Sequence, residues 1–464
     1  MTLSFKYRKF KLFQYIYSIS PAFIHNLIYT AYGYTKLKEA EYIYVNLAKK
    51  ISGDECLTPE EISLMQLKKV KLILSHAYEN TTYYKKLFDS IDFKPTEITS
   101  LDQLRIIPIT NKQDILNNYQ DLICKKSDNR SPQQSSTGGT TGTTLNFLLD
   151  TDTYLAREAE LLVYWMRHGY IVGKHRAVMF RAGVIIPNGN KINKPWRFDY
   201  SRKLLYLSSY YASNELYNEY YQLLLDWKPK YMFALPSAAY LFAQYLIQNN
   251  RNIKLDLIFT ASEMLHQLQK DTLEMAFGCP VIDHYGHGEP GLYAAGQCKY
   301  GNYHIAPRNT HVELTENGEI IETSLNNYSM PFIRYKIGDT AKALNRQGCE
   351  CGLNTPYIQS LSGRESEIIY TADGRIISSI GLDQIFRGNN ILLGKIIQEN
   401  IGKLTILVVR ASSFTESNEK ALLKNLADRV GTNTIVNLNY VDQIPIEKNG
   451  KYRLIESRVP KHEF

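Results

Sequence analysis

Leu257-Ile258-Phe259-Thr260 and Val281-Ile282-Asp283 are short apolar runs. They close a rhythm that starts at Ala177-Val178-Met179-Phe180 and passes through Tyr231-Met232-Phe233-Ala234-Leu235. Runs of this length suit buried strands. Between them, residues 214–227 and 238–248 carry helical patterns. Strands alternating with helices build an α/β fold around a parallel-rich sheet, and such sheets gather ligands at the carboxyl ends of their strands. Thr260-Ala261-Ser262-Glu263 and the residues from Asp283 onward therefore stand where a site is expected.

Working outward, 464 residues exceed one ordinary domain, and 44% hydrophobic with 22% charged residues excludes a mainly disordered chain. Leu67, Val70, Leu74 and Ala77 recur at helical spacing within a helix predicted over 60–79. After about residue 365 the texture changes. Ile368-Ile369-Tyr370 and residues 375–379 flank Ala372-Asp373-Gly374, a hairpin signal, and strands at 404–409 and 435–441 bracket a helix over 416–430. The expected division is a large domain over 1–365, with 1–59 as a helical extension, and a small α+β domain over 366–464.

Lys plus Arg (54) exceeds Asp plus Glu (46) by 8, a mild surplus that fits an anionic ligand or an anionic membrane face. It does not form the clustered basic stripe of a nucleic-acid binder, so no nucleic-acid partner is expected. Six cysteines are too few for a disulfide scaffold. No apolar run reaches the ~18 residues of a membrane span, and the N-terminus lacks a clean signal-cleavage pattern. A cytoplasmic protein is expected.

Ser135-Ser136-Thr137-Gly138-Gly139-Thr140-Thr141-Gly142-Thr143-Thr144 is the sharpest local signal. Glycines let the backbone turn its N–H groups inward, and the hydroxyls add donors for phosphate oxygens. No Lys follows Gly142, so it is not a Walker loop. A flexible linker shares this composition. Four further segments follow in order: Thr260-Ala261-Ser262-Glu263, Asp283-His284-Tyr285-Gly286-His287-Gly288-Glu289, Arg334-Tyr335-Lys336-Ile337-Gly338-Asp339 and Asn449-Gly450-Lys451-Tyr452-Arg453.

Together these five resemble the ordered motifs of the adenylate-forming (acyl-CoA ligase, adenylation-domain and luciferase) superfamily, across roughly residues 60 to 460. The resemblance implies a large adenylate-forming domain and a small mobile lid. It also implies an ATP-dependent, AMP-forming carboxylate ligase whose catalytic residues are Lys451, Glu289 and Thr140. The phosphate loop would comprise Ser136, Thr137, Gly138, Gly139, Thr140, Thr141 and Gly142. Ser262, Glu263, Asp283, His284, Tyr285 and Gly286 would line the adenine pocket, with Tyr285 stacking on the base. Glu289 would hold Mg²⁺, Asp339 would accept both ribose hydroxyls, and Arg364 of Ser362-Gly363-Arg364 would also contact ribose. Lys451 would be the mobile lysine of the lid. The blander alternatives are a solvated loop acid for Glu289, a turn residue for Asp339 and a surface cation for Lys451. Thr143 and Thr144 replace a usual Lys-Pro, Gly288 a usual hydroxyl residue and Ser366 a usual hinge Asp. These departures support a rival reading, a non-catalytic nucleotide-binding scaffold.

Cys298, His304, Cys349 and Cys351 form a C-x5-H and C-x-C set with glycines nearby. Three thiolates and one imidazole suit a closed, structural tetrahedral zinc site; the alternative is ordinary buried cysteines. Cys56, Cys124 and Cys279 have no partners by spacing. The phenylacetate–CoA ligase branch resembles this arrangement. Ala77-Tyr78, Tyr83-Tyr84-Lys85-Lys86-Leu87-Phe88, Ile107-Pro108-Ile109-Thr110-Asn111-Lys112, Trp196-Arg197 and Leu235-Pro236-Ser237 are similar to that branch and its CapK-like (capsular polysaccharide biosynthesis) members. That likeness implies a role in surface polysaccharide synthesis, with coenzyme A as the default thiol acceptor and an amine as the other choice. Residues 5–34 mix cations with aromatic and aliphatic residues. They read either as a helix packed on the large domain or as a peripheral contact with the inner face of a membrane. A homodimer is a further expectation.

Overall fold

The computed structural model describes residues 21–125, 132–136, 145–181, 194–209, 213–291, 293, 295–364, 368–371, 376–378, 383–386, 390–431, 433–444 and 453–459. The chain divides into two compact units. The first comprises Met1–Leu37, Val172–Asp283 and Ser362–Phe464; the second comprises Lys38–Ile171 and His284–Leu361.

In the first unit, Ala177–Arg181, Leu204–Ser208, Tyr231–Ala234 and Leu257–Ala261 are strands. Ala177 pairs in parallel with both Leu204 and Tyr231, and Tyr231 with Leu257. Every residue of Leu204–Ser208, Tyr231–Ala234 and Leu257–Ala261 is buried, as a parallel sheet covered on both faces requires. The covering helices Asn214–Trp227, Pro236–Gln248 and Gln267–Phe277 turn Tyr220, Leu224, Phe242, Leu246, Leu273 and Phe277 into one core with Val178, Leu205 and Ile258. The first ends on Lys228 and the last on Gly278, both in the left-handed conformation that stops a helix.

Trp196–Asp199 runs antiparallel to Leu204–Ser208 at the sheet's end. Its outer backbone is covered by the helix Ala22–Ile43. The Asn26 Oδ1 accepts from the Phe198 N–H at 3.0 Å and the Thr30 Oγ1 from the Tyr200 N–H at 3.2 Å. Gly33 lies so close that a Cβ there would overlap the Asp199 carboxylate. Positions 26, 30 and 33 share one helical face, so this stretch is packed against the protein and satisfies an edge that would otherwise be open to pairing.

Later in the same unit, Ile391–Asn400 pairs antiparallel with Lys403–Arg410 and parallel with Ile455–Ser457, and Lys403–Arg410 pairs parallel with Ile435–Tyr440. Alternation buries Leu404, Ile406 and Val408 under Leu422 and Leu426 of the helix Glu416–Val430. The buried Gln398 amide accepts from the Tyr370 N–H at 2.9 Å and donates to the Tyr370 carbonyl at 2.6 Å, tying Ile368–Tyr370 to this sheet. Ile368–Tyr370 pairs antiparallel with Ile376–Ser378; the turn expected at Ala372-Asp373-Gly374 lies outside the described residues.

The second unit opens with the helix Pro59–Asn80. Thr58 accepts from the Glu61 N–H while the Glu61 carboxylate accepts from the Thr58 N–H, and proline occupies the first turn. Val70, Ile73, Leu74 and Ala77 on its buried face pack with Tyr84 and Phe88 against Met330, Phe332, Ile333 and Tyr335. The fully buried Tyr84 hydroxyl donates to the Pro331 carbonyl at 3.2 Å and accepts from the Ile333 N–H at 3.1 Å. The strands Thr310–Leu314, Glu319–Ser324, Tyr335–Asn345, Tyr357–Arg364, Asn302–His304 and Ala295–Gln297 neighbour one another in that order, and the paired registers among them are antiparallel. This antiparallel half was not legible as strands in the sequence.

Candidate active site

In the first unit, the strand end at Ala261 passes into Ser262, whose φ of 72° is a left-handed conformation rare for a non-glycine residue. This turn aims Glu263 back at the helix Pro236–Gln248, where its carboxylate accepts from the Ser237 N–H and hydroxyl, both at 3.0 Å. Glu263 therefore caps a helix start, where a negative charge is favourable. One strand over, the Thr260 hydroxyl donates to Asp283 Oδ1 at 2.6 Å, fixing the buried Asp283 carboxylate.

In the second unit, the Tyr285 hydroxyl donates to Asp339 Oδ2 at 2.8 Å. Two of the sequence motifs, 54 positions apart, are thus side by side. Asp339 stands on the strand Tyr335–Asn345 just after Gly338, whose φ is 91°. The strand is entered through Arg334, itself at φ 47° and buried. Its guanidinium forms two 3.0 Å bonds to the Glu313 carboxylate and also donates to the Arg105 and Ile107 carbonyls. Such a fork-to-carboxylate pair is geometrically specific, so Arg334 sets the start of the segment that presents Asp339.

The residues from Gly286 to Gly291 are held by groups that sequence motifs did not reveal. A Cβ on Gly286 would overlap the Tyr293 carbonyl, and one on Gly291 would overlap the Glu322 carboxylate. Arg157, on the helix Thr151–Arg167, donates to the His287 and Gly288 carbonyls, each at 3.1 Å, while its guanidinium sits 4.1 Å from the Tyr293 ring centre. The buried His287 ring lies between two acids: Nδ1 is 3.2 Å from Glu289 Oε2, and Nε2 is 3.1 Å from Glu322 Oε2. Burial favours the neutral ring, but the Glu322 and Glu289 carboxylates outweigh it and raise its pKa to about 10.

Ser136 ends the strand Gln133–Ser136, which pairs antiparallel with Asn146–Leu149 through Ser136 and Asn146. The glycine-threonine loop is the connection between these strands. Thr137, Gly138, Gly139, Thr140, Thr141, Gly142, Thr143 and Thr144 lie outside the described residues, as do Ser366, Lys451 and the side chain of Arg364.

Elsewhere in the second unit, Cys298, His304, Cys349 and Cys351 converge, with their ligand atoms all within 4.8 Å of one another. Two tight turns bring them there. The Gly301 N–H donates to the Cys298 carbonyl and the Gly352 N–H to the Cys349 carbonyl, both at 2.9 Å. The His304 Nδ1 is 3.0 Å from the Thr355 hydroxyl, leaving Nε2 3.2 Å from the Cys351 Sγ. Burial, helped by Arg167, lowers the His304 pKa to about 4, so the ring is neutral, its ligating form. With Nδ1 engaged by Thr355 and Nε2 turned toward the sulfur donors, the ring has the arrangement of a histidine ligand and its outer partner. Among the cysteines without expected partners, Cys124 has one: its thiol donates to the Tyr328 carbonyl at 2.7 Å and lies 3.2 Å from the His76 Nε2.

Residues 369–458 match the family described as the CapK C-terminal domain. Protein CapK of Staphylococcus aureus is 25% identical over 457 residues, covering 95% of this chain and 98% of that protein. A phenylacetate-coenzyme A ligase of Aromatoleum evansii is 24% identical over 323 residues, covering 62% of this chain and 68% of that one. The crystal structure of a 2-hydroxyisobutyryl-CoA ligase in the postadenylation state, in complex with R3-HIB-AMP, matches with a TM-score of 0.69 at 16% identity over 89% of this chain and 92% of that one. The fold is that of the adenylate-forming ligases. Within that class, the resemblance to the phenylacetate–CoA ligase and CapK-like branch is borne out by sequence.

Proposed function

We propose that the protein is an AMP-forming ligase that activates a carboxylate with ATP and passes the acyl group to a thiol, with coenzyme A the default acceptor. The observation that carries this reading is the 2.8 Å contact between Tyr285 and Asp339, which sets an aromatic ring beside a buried carboxylate, as adenosine recognition needs. The adenylate-forming fold and the phenylacetate–CoA ligase relatives support it.

In the first half-reaction a carboxylate oxygen bonds to the α-phosphorus of ATP, the bond to the bridging oxygen breaks and pyrophosphate leaves. The attacking carboxylate is already ionised near pH 7, so no general base is needed. Catalysis then rests on positioning and on stabilising charge at phosphorus. Asp339 would fix the ribose and the Tyr285 ring the base. Ser136 and the loop of Thr137, Gly138, Gly139, Thr140, Thr141 and Gly142 would donate to phosphate oxygens. Glu289 would hold Mg²⁺, which when bound supplies positive charge to the phosphates. Arg364 would contribute from the end of the large domain, and Lys451 from the small domain over 366–464, which would close as a lid for adenylation and then withdraw. The carboxylates of Asp283 and Glu263 are held by Thr260 and Ser237, respectively.

The cysteine cluster fits a structural zinc ion: its donors are soft, convergent and complete at four, with no position left for substrate. A role in surface polysaccharide assembly is supported by the likeness to CapK over nearly the whole chain, and there an amine acceptor would replace the thiol. The cations Lys6, Arg8, Lys9 and Lys11 favour contact with an anionic membrane, and no described helix is long and apolar enough to cross one.

ATP–pyrophosphate exchange across aryl, amino, fatty and uronic acids tests the central reading. Exchange with at least one class is expected; measurable ATP binding with no exchange would point to a scaffold instead. Lys451→Ala is expected to stop exchange while sparing acyl transfer from supplied acyl-adenylate. Equal loss of both steps would contradict a lid that serves only the first.

A further inference from the structure

The imidazole of His287 uses both nitrogens on acids that lie on opposite sides of the ring, so it bridges rather than chelates. One acid, Glu289, belongs to the loop that follows Tyr285. The other, Glu322, is fully buried on the strand Glu319–Ser324, inside an antiparallel sheet. The ring thus ties a loop carboxylate to a rigid strand through both of its nitrogens. The loop has no slack to move away: Arg157 holds the carbonyls of residues 287 and 288, and Gly291 is packed onto the Glu322 carboxylate. Gly288 itself is exposed and carries no side chain that could orient Glu289.

We propose that His287 is a positioning residue: anchored to Glu322, it holds the Glu289 carboxylate in the orientation that binds the cation of the nucleotide, doing the orienting that residue 288 lacks a side chain to do. The proposal rests on the nucleotide-binding reading above. One Glu289 oxygen is committed to the ring, which limits how the carboxylate can turn toward a metal and lowers the entropy lost when it does so. Outer partners of this kind typically change metal affinity by about 10- to 100-fold when removed.

The test measures ATP binding by titration calorimetry at increasing Mg²⁺, with melting temperature followed in parallel. In His287→Ala the Mg²⁺ concentration at half-maximal ATP binding is expected to rise by about 10-fold or more, while ATP affinity in chelator stays unchanged. His287→Gln, which keeps length and one donor, should rescue part of the shift. A group that only stabilised the fold would lower the melting temperature and leave the Mg²⁺ midpoint alone. If His287→Ala does not fold, Glu322→Gln keeps the ring and weakens its anchor, and the midpoint should move in the same direction. A folded His287→Ala or Glu322→Gln protein with the wild-type midpoint overturns the brace alone. Wild-type ATP binding that ignores Mg²⁺ overturns the role of Glu289, and the brace with it.

Discussion

Replacing Glu289 with alanine is expected to lower ATP–pyrophosphate exchange by about 10²–10³-fold or more, the scale of losing one group that stabilises transition-state charge in a water-poor site. The half-buried carboxylate of Glu289 lies 3.2 Å from the His287 ring and follows Tyr285 by four residues, in the loop where the proposed function would put a metal-binding acid. Alanine removes the oxygens and leaves the loop path intact, since Arg157, Gly286 and Gly291 set it through the backbone. His287 keeps Glu322, so stability should fall by no more than a charged hydrogen bond contributes, about 1.5–3 kcal/mol. Glu289→Gln should match alanine in rate, because an amide keeps the shape and loses the charge. Near-wild-type exchange in either folded variant would sink the assignment.

The second large effect concerns the cysteine cluster. Purified protein is expected to hold about one zinc per chain. Stripping it with a strong chelator, or making Cys351→Ser, should lower the melting temperature by about 10 °C or more, as expected when several kcal/mol of metal binding is coupled to folding. The reason is geometric. Cys298 and His304 lie on either side of the turn at Gly301, Cys349 and Cys351 belong to a second turn closed at Gly352, and the ion would tie these segments together. Thr355→Val offers a gentler check: it removes the partner of His304 Nδ1 and should weaken metal affinity by about 10-fold while leaving all four ligands in place. Native protein that contains no metal, and whose melting ignores chelators, would refute the site.

How much of this was legible beforehand depended on whether the signal was local. Strands at Ala177, Tyr231, Leu257 and Val281 announced themselves because a parallel sheet buried on both faces needs continuous apolar runs. Ala295–Gln297 and Asn302–His304 did not, being only three residues each and shaped around the cysteine turns. Tyr285 and Asp339 could be paired in advance because each sits in a motif with an ordered place along the chain. The convergence of the three cysteines and His304 was likewise readable from residue type. Arg157 and Glu322 were not. They act on His287 from 130 and 35 positions away, and no spacing rule links a helix arginine or a mid-strand glutamate to a loop histidine. The bonds from Ser237 to Glu263 were not readable either, because they form a helix cap that only the tertiary fold creates.

The bond between the Tyr84 hydroxyl and the Pro331 carbonyl spans 247 positions, and it bears on how the chain is made. At roughly 5–20 residues per second, a ribosome that has released Tyr84 needs on the order of 12–50 s more before Pro331 emerges. Throughout that interval Val70, Ile73, Leu74, Tyr84 and Phe88 lack the Met330-to-Tyr335 surface that completes their core. The parallel strands between Ala177 and Asp283 emerge inside that same interval and can assemble first. Synthesis thus leaves an early, sticky pair of helices waiting for a late strand, and apolar surface left open in this way is what makes a nascent chain prone to aggregate.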